Sequence, residues 1–228
     1  MNRKRNQSPV TGVITGDVIN SKRMAASVWL PRLKKVLNEW GGEPKTWQIY
    51  RGDSFQLEIP SPLEVLEAAI LIKAGMKTVK GLDVRLAIGI GEKSYTADKV
   101  TESNGEAFVN SGQMFDRLKK QKTTMAIQSP WPTFDEEINV MLKLALTFMD
   151  RWLVNYAEVI VYSLRYRELS QTQLGGKMKI AQNTVSERQA RAHKEELLDL
   201  LQLFRKKLAQ QMASNAQAGL ELNKGTGS

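Results

Sequence analysis

The sequence predicts an α+β fold followed by an all-helical C-terminal part. Up to residue 131, short β-branched or alternating apolar runs are separated by segments whose apolar residues have helical spacing. After Pro130-Trp131-Pro132, every segment has helical spacing, which makes this stretch the predicted domain boundary. We therefore expect four parts: a flexible basic arm (1–9), a sheet domain (10–131), a helical domain (132–213) and a disordered tail (214–228).

Composition limits the classes of partner and site. The chain has 228 residues, 42% of them hydrophobic, and a formal net charge of +9, which favours polyanionic partners such as nucleic acids or nucleotides. It has no cysteine and a single histidine, His193, so this chain alone offers no thiolate or histidine-cluster metal site. The most apolar stretch, 142–166, contains five charged residues. We therefore expect a cytoplasmic protein with no membrane partner.

The N-terminal elements are predicted in the order β-α-β-β-α-β-α-β. Gly41-Gly42 ends the first helix, and Arg51-Gly52-Asp53-Ser54 forms the turn of a hairpin. The predicted strands are 10–14, 47–50, 55–59, 83–90 and 125–127, and the predicted helices are 24–40, 60–76 and 105–120. This order favours a ferredoxin-like or palm architecture.

Two acidic residues carry the main hypothesis about chemistry in this half. Asp17 and Asp53 each follow a glycine, in segments where we expect a strand to meet a turn. Because Mg²⁺ prefers one or two carboxylates together with the phosphate oxygens of a nucleotide, the pair predicts a shared metal and nucleotide site. The alternative is purely structural, with Asp17 capping a turn and Asp53 sitting in a tight hairpin.

The C-terminal half is predicted to contain five helices. Their expected ranges are 134–151, 156–167, 171–178, 183–193 and 195–213. Residues 171–191 resemble the helix-turn-helix of bacterial regulators, since Leu174, Met178, Ile180 and Val185 have the spacing that locks two short helices together. The resemblance implies that this segment contacts double-stranded DNA. The residues expected to contact it are Lys177, Lys179, Gln182, Asn183, Thr184, Ser186, Arg188 and Arg191.

Two departures from the helix-turn-helix pattern leave an alternative open. Gly175 stands where alanine is usual, and Lys179 stands where the turn usually has glycine. A glycine inside a helix costs about 1 kcal/mol relative to alanine, and a left-handed lysine is uncommon. The alternative is an ordinary helical bundle with a solvated basic face.

The N-terminal half also resembles class III nucleotidyl cyclases and, more distantly, GGDEF-type palms. Four blocks carry the resemblance in the family's order over roughly 110 residues. They are Asp17-Val18-Ile19-Asn20-Ser21, Gly52-Asp53, Val84-Arg85-Leu86-Ala87-Ile88-Gly89-Ile90-Gly91 and Gly105-Glu106-Ala107-Phe108-Val109-Asn110-Ser111-Gly112-Gln113-Met114. Taken whole, residues 12–200 are most similar to the SatD-like family, which joins such a domain to a helix-turn-helix.

The resemblance implies a ligand but argues against cyclase chemistry. Asp17 and Asp53 would hold Mg²⁺ with a nucleoside triphosphate, and the other nucleotide-binding positions would be Val18, Ile19, Asn20, Ser21 and Gly52. Aligned on Gly105, the transition-state asparagine and arginine of cyclases fall at Val109 and Gln113. Since losing a transition-state arginine typically costs about 10³-fold in rate, we name no catalytic residue and regard the domain as degenerate.

We therefore expect a DNA-binding regulatory protein, a transcriptional regulator, whose cyclase-like domain senses a nucleoside triphosphate or cyclic nucleotide or mediates dimerisation. Because cyclase palms dimerise and helix-turn-helix units read paired half-sites, a homodimer is expected. Two alternatives stay open at this point. The chain is an active Mg²⁺- or Mn²⁺-dependent nucleotidyl cyclase or nucleotidyltransferase, or it is a structural adaptor.

Overall fold

The computed structural model describes residues 9–225, and its N-terminal part is built around a six-stranded sheet. The strands are β1 (Val10–Ile19), β2 (Trp47–Tyr50), β3 (Ser54–Ile59), β4 (Asp83–Tyr95), β5 (Asn104–Gly105) and β6 (Met125–Gln128). Their order is β2-β3-β1-β4-β5, and β6 pairs with the first half of β4. All pairs are antiparallel except β4 with β6, which is parallel.

Helices cover the sheet on both faces. The helices of this half are α1 (Ala26–Leu37), α2 (Val65–Lys77) and α3 (Glu106–Gln121). Side chains of β1 alternate between the faces: Ile14 packs in the main core with α1 and α2, whereas the Thr15 hydroxyl lies 3.0 Å from that of Ser111 on α3. The close approach of α3 depends on Gly89, because a Cβ there would lie 2.1 Å from the carbonyl oxygen of Ala107.

Five helices follow the sheet. They are α4 (Pro132–Met149), α5 (Val154–Arg165), α6 (Gln171–Met178), α7 (Gln182–Arg191) and α8 (Lys194–Gly225). Their apolar faces join the N-terminal core in one hydrophobic cluster that extends from Ile14 to Leu208. The prediction of a mixed sheet-and-helix part followed by helices is thus confirmed, and the finer assignment to a palm stays a prediction.

Several elements differ in length from the predictions. β1 continues five residues beyond the predicted end at Ile14, and β4 continues from Ile90 to Tyr95, because each has partner strands along its polar end. We expected a disordered tail from Ser214, but α8 continues to Gly225 since alanine, glutamine and leucine there favour helix. Most of the expected N-terminal arm lies outside the described residues.

The described helices were compared with the length and hydropathy of membrane-spanning helices. None of the helices within residues 9–225 combines the length and the apolar character that crossing a bilayer requires.

Candidate functional site

Asp17 lies inside β1, near the C-terminal end of the central strand, and not at a turn as we predicted. It pairs in register with Ser54 of β3 on one side and with Arg85 of β4 on the other. Ser54 in turn pairs with Tyr50 of β2, so four polar side chains form one row across the sheet. A guanidinium nitrogen of Arg85 lies 3.0 Å from the Asp17 carboxylate.

Asp53 lies in the three-residue loop between β2 and β3. Arg51 and Gly52 both have positive φ, 50° and 83°, and this reverses the chain within a short loop. The Asp53 carboxylate accepts a hydrogen bond from the hydroxyl of Ser21. Its backbone carbonyl accepts a hydrogen bond from the Val18 N–H at 3.2 Å. The loop is therefore fastened to the end of β1 by side chain and backbone.

The two aspartates line the same cavity, which has a volume of about 340 Å³. The remaining lining residues are Val18, Ile19, Asn20, Ser21, Lys22, Arg23 and Arg85. The cavity therefore contains two carboxylates with three cationic side chains, although neither the cations nor their placement was part of the sequence prediction. Gly52 does not line it; it lines the neighbouring cavity on the other side of Asp53.

The segment after β1 begins with a left-handed residue. Asn20 has a φ of 65°, in the left-handed region, and a short 3₁₀ turn (Ser21–Arg23) follows it. The Asn20 side chain donates to the carbonyl of Gly81 at 3.1 Å. Because the Val18 amide already donates to Asp53, it is not free for a phosphate, which corrects the prediction for Val18. The predicted positions Ile19, Asn20 and Ser21 line the cavity.

Electrostatics at Asp17 reflect competing influences. Burial raises the pKa of the Asp17 carboxyl, the charges of Arg85 and Lys119 lower it, and the charge of Asp53 raises it, with a net increase. An additional cation at the cavity would offset the effect of the Asp53 charge and favour the ionised form of Asp17.

These residues fit a divalent cation only when a ligand supplies further oxygens. Within residues 9–225, no group of three or more histidine, cysteine, aspartate or glutamate residues could hold a metal ion. Two carboxylates suit Mg²⁺ that is shared with the phosphates of a nucleotide, since Mg²⁺ is commonly held by one or two carboxylates plus phosphates. Arg85 partly neutralises Asp17 and would compete with such an ion.

Helix α3 presents no arginine at the position that cyclases use. Val109 is 49% exposed, and the Gln113 side-chain oxygen accepts a hydrogen bond from Gln128 at 2.9 Å. Asn110, one residue further along, is buried and donates to the carbonyl of Ile90 at 2.8 Å, so it supports the sheet and does not face a ligand.

In the C-terminal half, α6 and α7 are joined by the short turn 179–181. Lys179 has a φ of 56°, and the predicted left-handed lysine is therefore present. The structure also explains Gly175: a Cβ there would lie 2.7 Å from the carbonyl oxygen of Ile180 in the turn. Leu174 and Val185 are buried between the helices, whereas Met178 and Ile180 are only partly buried.

The polar residues predicted to contact DNA lie along α6, the turn and α7. Lys177, Lys179, Gln182, Asn183 and Arg191 are exposed, and Thr184, Ser186 and Arg188 are partly buried. Some of them already have protein partners: Lys177 lies 4.4 Å from the centre of the Tyr166 ring, and Arg191 pairs with Glu187 at 2.8 Å.

Sequence reasoning missed Arg85, which contacts the predicted metal ligand directly. Alternation along β4 shows that Arg85 lies on the face opposite Val84 and Leu86, and that signal was available. The neighbour of Arg85 on β1 could not be predicted, because Asp17 and Arg85 are 68 positions apart and the register between their strands depends on tertiary pairing.

Comparison with known proteins adds no family assignment. No model of a known protein family matches the sequence, and a search of curated proteins found no significant match. The similarity to the SatD-like family therefore stays a prediction.

Proposed function

We propose that this chain is a DNA-binding regulatory protein of the SatD-like type, in which a degenerate cyclase-like palm senses a nucleotide. The observation that carries the proposal is the arrangement of α7. This helix buries Val185 and Gln189 against its neighbours and leaves a polar face with Gln182, Asn183 and Arg191 exposed. Such a face has the donors, acceptors and cationic groups that read base edges and bind phosphates in the major groove.

The packing of α7 supports rigid presentation of that face. The Gln189 side chain donates to the Ser163 hydroxyl of α5 at 2.9 Å and accepts from Gln171 of α6 at 2.9 Å. Ser170 and Gln173 form a reciprocal capping box at the start of α6. Because polar groups buried at these contacts have partners, α7 is held in one orientation relative to α5 and α6.

The cavity at Asp17 and Asp53 supports nucleotide binding. Two carboxylates provide ligands for Mg²⁺, and Lys22 and Arg23 provide charges that attract phosphates. The absence of a charged group at Gln113 favours sensing over catalysis. An active cyclase or nucleotidyltransferase would instead release product from ATP or GTP, and this chemistry would be lost in Asp17→Ala and Asp53→Ala.

A series of contacts supports communication between the two parts. Asn20 donates to the Gly81 carbonyl, three residues before Val84 in β4. The Lys77 ammonium contacts both the Asp83 carboxylate at 3.1 Å and the Asp150 carbonyl at 2.7 Å. Two residues later, the Trp152 indole donates to the carbonyl of Ala192, which caps α7, at 3.0 Å. A displacement of the segment after β1 would thus be transmitted through these contacts to the C-terminal end of α7.

The test of DNA binding is fluorescence anisotropy with a pool of random-sequence duplexes, followed by selection and titration of enriched sequences. We expect binding whose logarithmic affinity falls linearly with the logarithm of salt concentration, with a slope of about −0.9 for each phosphate contacted. A structural adaptor would give no binding at low salt and no enriched sequence, and that result would contradict the proposal.

A further inference from the structure

A further cavity, of about 540 Å³, lies between the sheet and the helices that follow it. Its wall includes three segments that are distant in the sequence: the end of β1 at Ile19, the loop after α2 (79–82), and the linker between α4 and α5 (150–153). Binding sites for small molecules commonly measure about 300–1,000 Å³ and lie where two parts of a protein meet. The cavity therefore has the size and the position of a small-molecule site.

Accessible apolar side chains from these segments meet at the cavity. Leu153, directly before the first residue of α5, is 59% exposed. Ile19, Val79 and Val154 also line the cavity and are partly exposed. An apolar group that covers these side chains would displace water from them, and the burial of such surface favours binding. They therefore form a wall for the apolar part of a ligand.

The charged side chains of the described chain leave an unbalanced positive charge at this cavity. The Asp83 carboxylate contacts the ammonium groups of Lys73 and Lys77. The Asp150 carboxylate contacts the same Lys73 ammonium, so these four charges balance. Lys80 lines the cavity, is exposed, and has no acidic partner within residues 9–225. The cavity therefore favours an anionic group over a cationic one.

The start of α5 adds to this preference for an anion. Leu153 is the N-cap residue of α5 and offers no side-chain acceptor to the first backbone N–H groups of the helix. Leu153 and Val154 both line the cavity, so the positive end of the helix dipole lies at its wall. The helix end alone does not define a site, but it reinforces the charge of Lys80 beside the accessible apolar wall.

We propose that this cavity binds a small amphipathic carboxylic acid, whose apolar body packs against the accessible apolar wall and whose carboxylate pairs with Lys80. A ligand of this kind matches both the apolar surface and the unbalanced charge. The site goes beyond the proposed function, because neither Asp17 nor Asp53 lines this cavity and its ligand is not a nucleotide. Its occupation requires neither DNA nor Mg²⁺.

The experiment compares octanoate, octan-1-ol and octylammonium by calorimetric titration of the full chain at pH 7. We expect octanoate to bind most tightly and octylammonium most weakly. Lys80→Gln removes an exposed charge and should weaken octanoate binding by about fivefold, with octan-1-ol unchanged. Lys143→Gln, at an exposed lysine of α4 outside the cavity, is the matched control and should change none of the affinities.

A second variant tests the apolar wall. Leu153→Ser removes the exposed leucine and introduces a preferred N-cap residue, so α5 should still form. We expect octanoate and octan-1-ol both to bind about fivefold more weakly. Leu144→Ser, at a leucine of α4 that is 66% exposed and outside the cavity, should leave both affinities unchanged. The proposal is overturned if the wild-type chain does not bind octanoate, binds octylammonium equally well, or binds octanoate unchanged after Leu153→Ser.

Discussion

The ammonium group of Lys73 lies 2.6 Å from the carboxylate of Asp150, although the Lys73 side chain is completely buried. It also lies 2.8 Å from the carboxylate of Asp83 at the start of β4. Lys73 on α2 therefore fastens the first residue of β4 to the residue that follows α4. Asp83 pairs in register with Ile19, which lines the cavity at Asp17 and Asp53. This ion network is therefore next to the proposed nucleotide site.

Removal of the Asp83 carboxylate should be strongly destabilising. Asp83→Asn would leave the buried Lys73 ammonium paired with the Asp150 carboxylate, and the buried Lys77 ammonium in contact only with the Asp150 backbone carbonyl. Breaking a buried ion pair from one side typically costs about 3–5 kcal/mol in the free energy of unfolding. Urea unfolding of the variant and the wild type measures this loss of free energy of unfolding. Glu102→Gln, which breaks an exposed pair with Lys99, should leave the unfolding midpoint unchanged.

Gly175 and Gly176 provide a matched pair of substitutions in α6. Gly175→Ala should lower the free energy of unfolding by about 1–3 kcal/mol, because the new methyl group would lie 2.7 Å from the Ile180 carbonyl oxygen. A Cβ at Gly176 would have no atom within 4 Å, so Gly176→Ala should raise the free energy of unfolding by about 0.5–1 kcal/mol through helix propensity. Denaturation curves of the two variants with the same sign of change would refute the tight turn between α6 and α7.

Two substitutions in the α6–α7 segment should distinguish residues that contact DNA phosphates from residues that contact bases. Lys179→Ala should weaken binding to all sequences and reduce the magnitude of the salt slope by about 1. Asn183→Ala should reduce discrimination between the selected site and random DNA by about 1–3 kcal/mol. Lys143→Ala, an exposed lysine on α4, is the control and should leave both quantities unchanged. If Lys143→Ala and Lys179→Ala have equal effects, the α6–α7 segment is not the DNA-binding surface.

The raised pKa of Asp17 predicts how its substitution depends on pH. Burial raises the pKa of Asp17 above its value in the unfolded chain, where an aspartate titrates near 3.9, so the folded state favours the protonated form. This stabilisation is fully present below pH 4 and is lost as the pH rises through the folded pKa. Relative to wild type, Asp17→Asn should therefore gain stability between about pH 4 and the folded pKa. Unfolding curves at several pH values measure the difference, and a constant difference would contradict the assignment.

The sequence predicts local features of this fold better than distant ones. The hairpin of β2 and β3 follows from Gly52 between two alternating strands, and α6 begins and ends where its capping serine and the apolar spacing from Leu174 indicate. The extension of β4 beyond Ile90 could not be predicted, because this end of β4 becomes a strand only through pairing with β1 and β5. The same holds for Arg85, whose role depends on the register that places it beside Asp17.

The burial of Lys73 was also beyond prediction from sequence. Its position in α2 follows ordinary helical spacing, and a lysine is expected to be solvated. The two carboxylates that make its burial possible come from β4 and from the end of α4, which are distant in the sequence and close only in the folded chain.

The most direct test is the affinity of the selected DNA duplex for the full chain, measured by anisotropy with and without saturating ATP or GTP in the presence of Mg²⁺. We expect the nucleotide to change the dissociation constant by about 5- to 150-fold, the usual range of coupling between two sites. The change should be absent in Asp53→Asn and retained in Asp98→Asn, an exposed aspartate outside the cavity. A dissociation constant that is the same with ATP, GTP or cyclic nucleotides as without them would contradict nucleotide-controlled DNA binding.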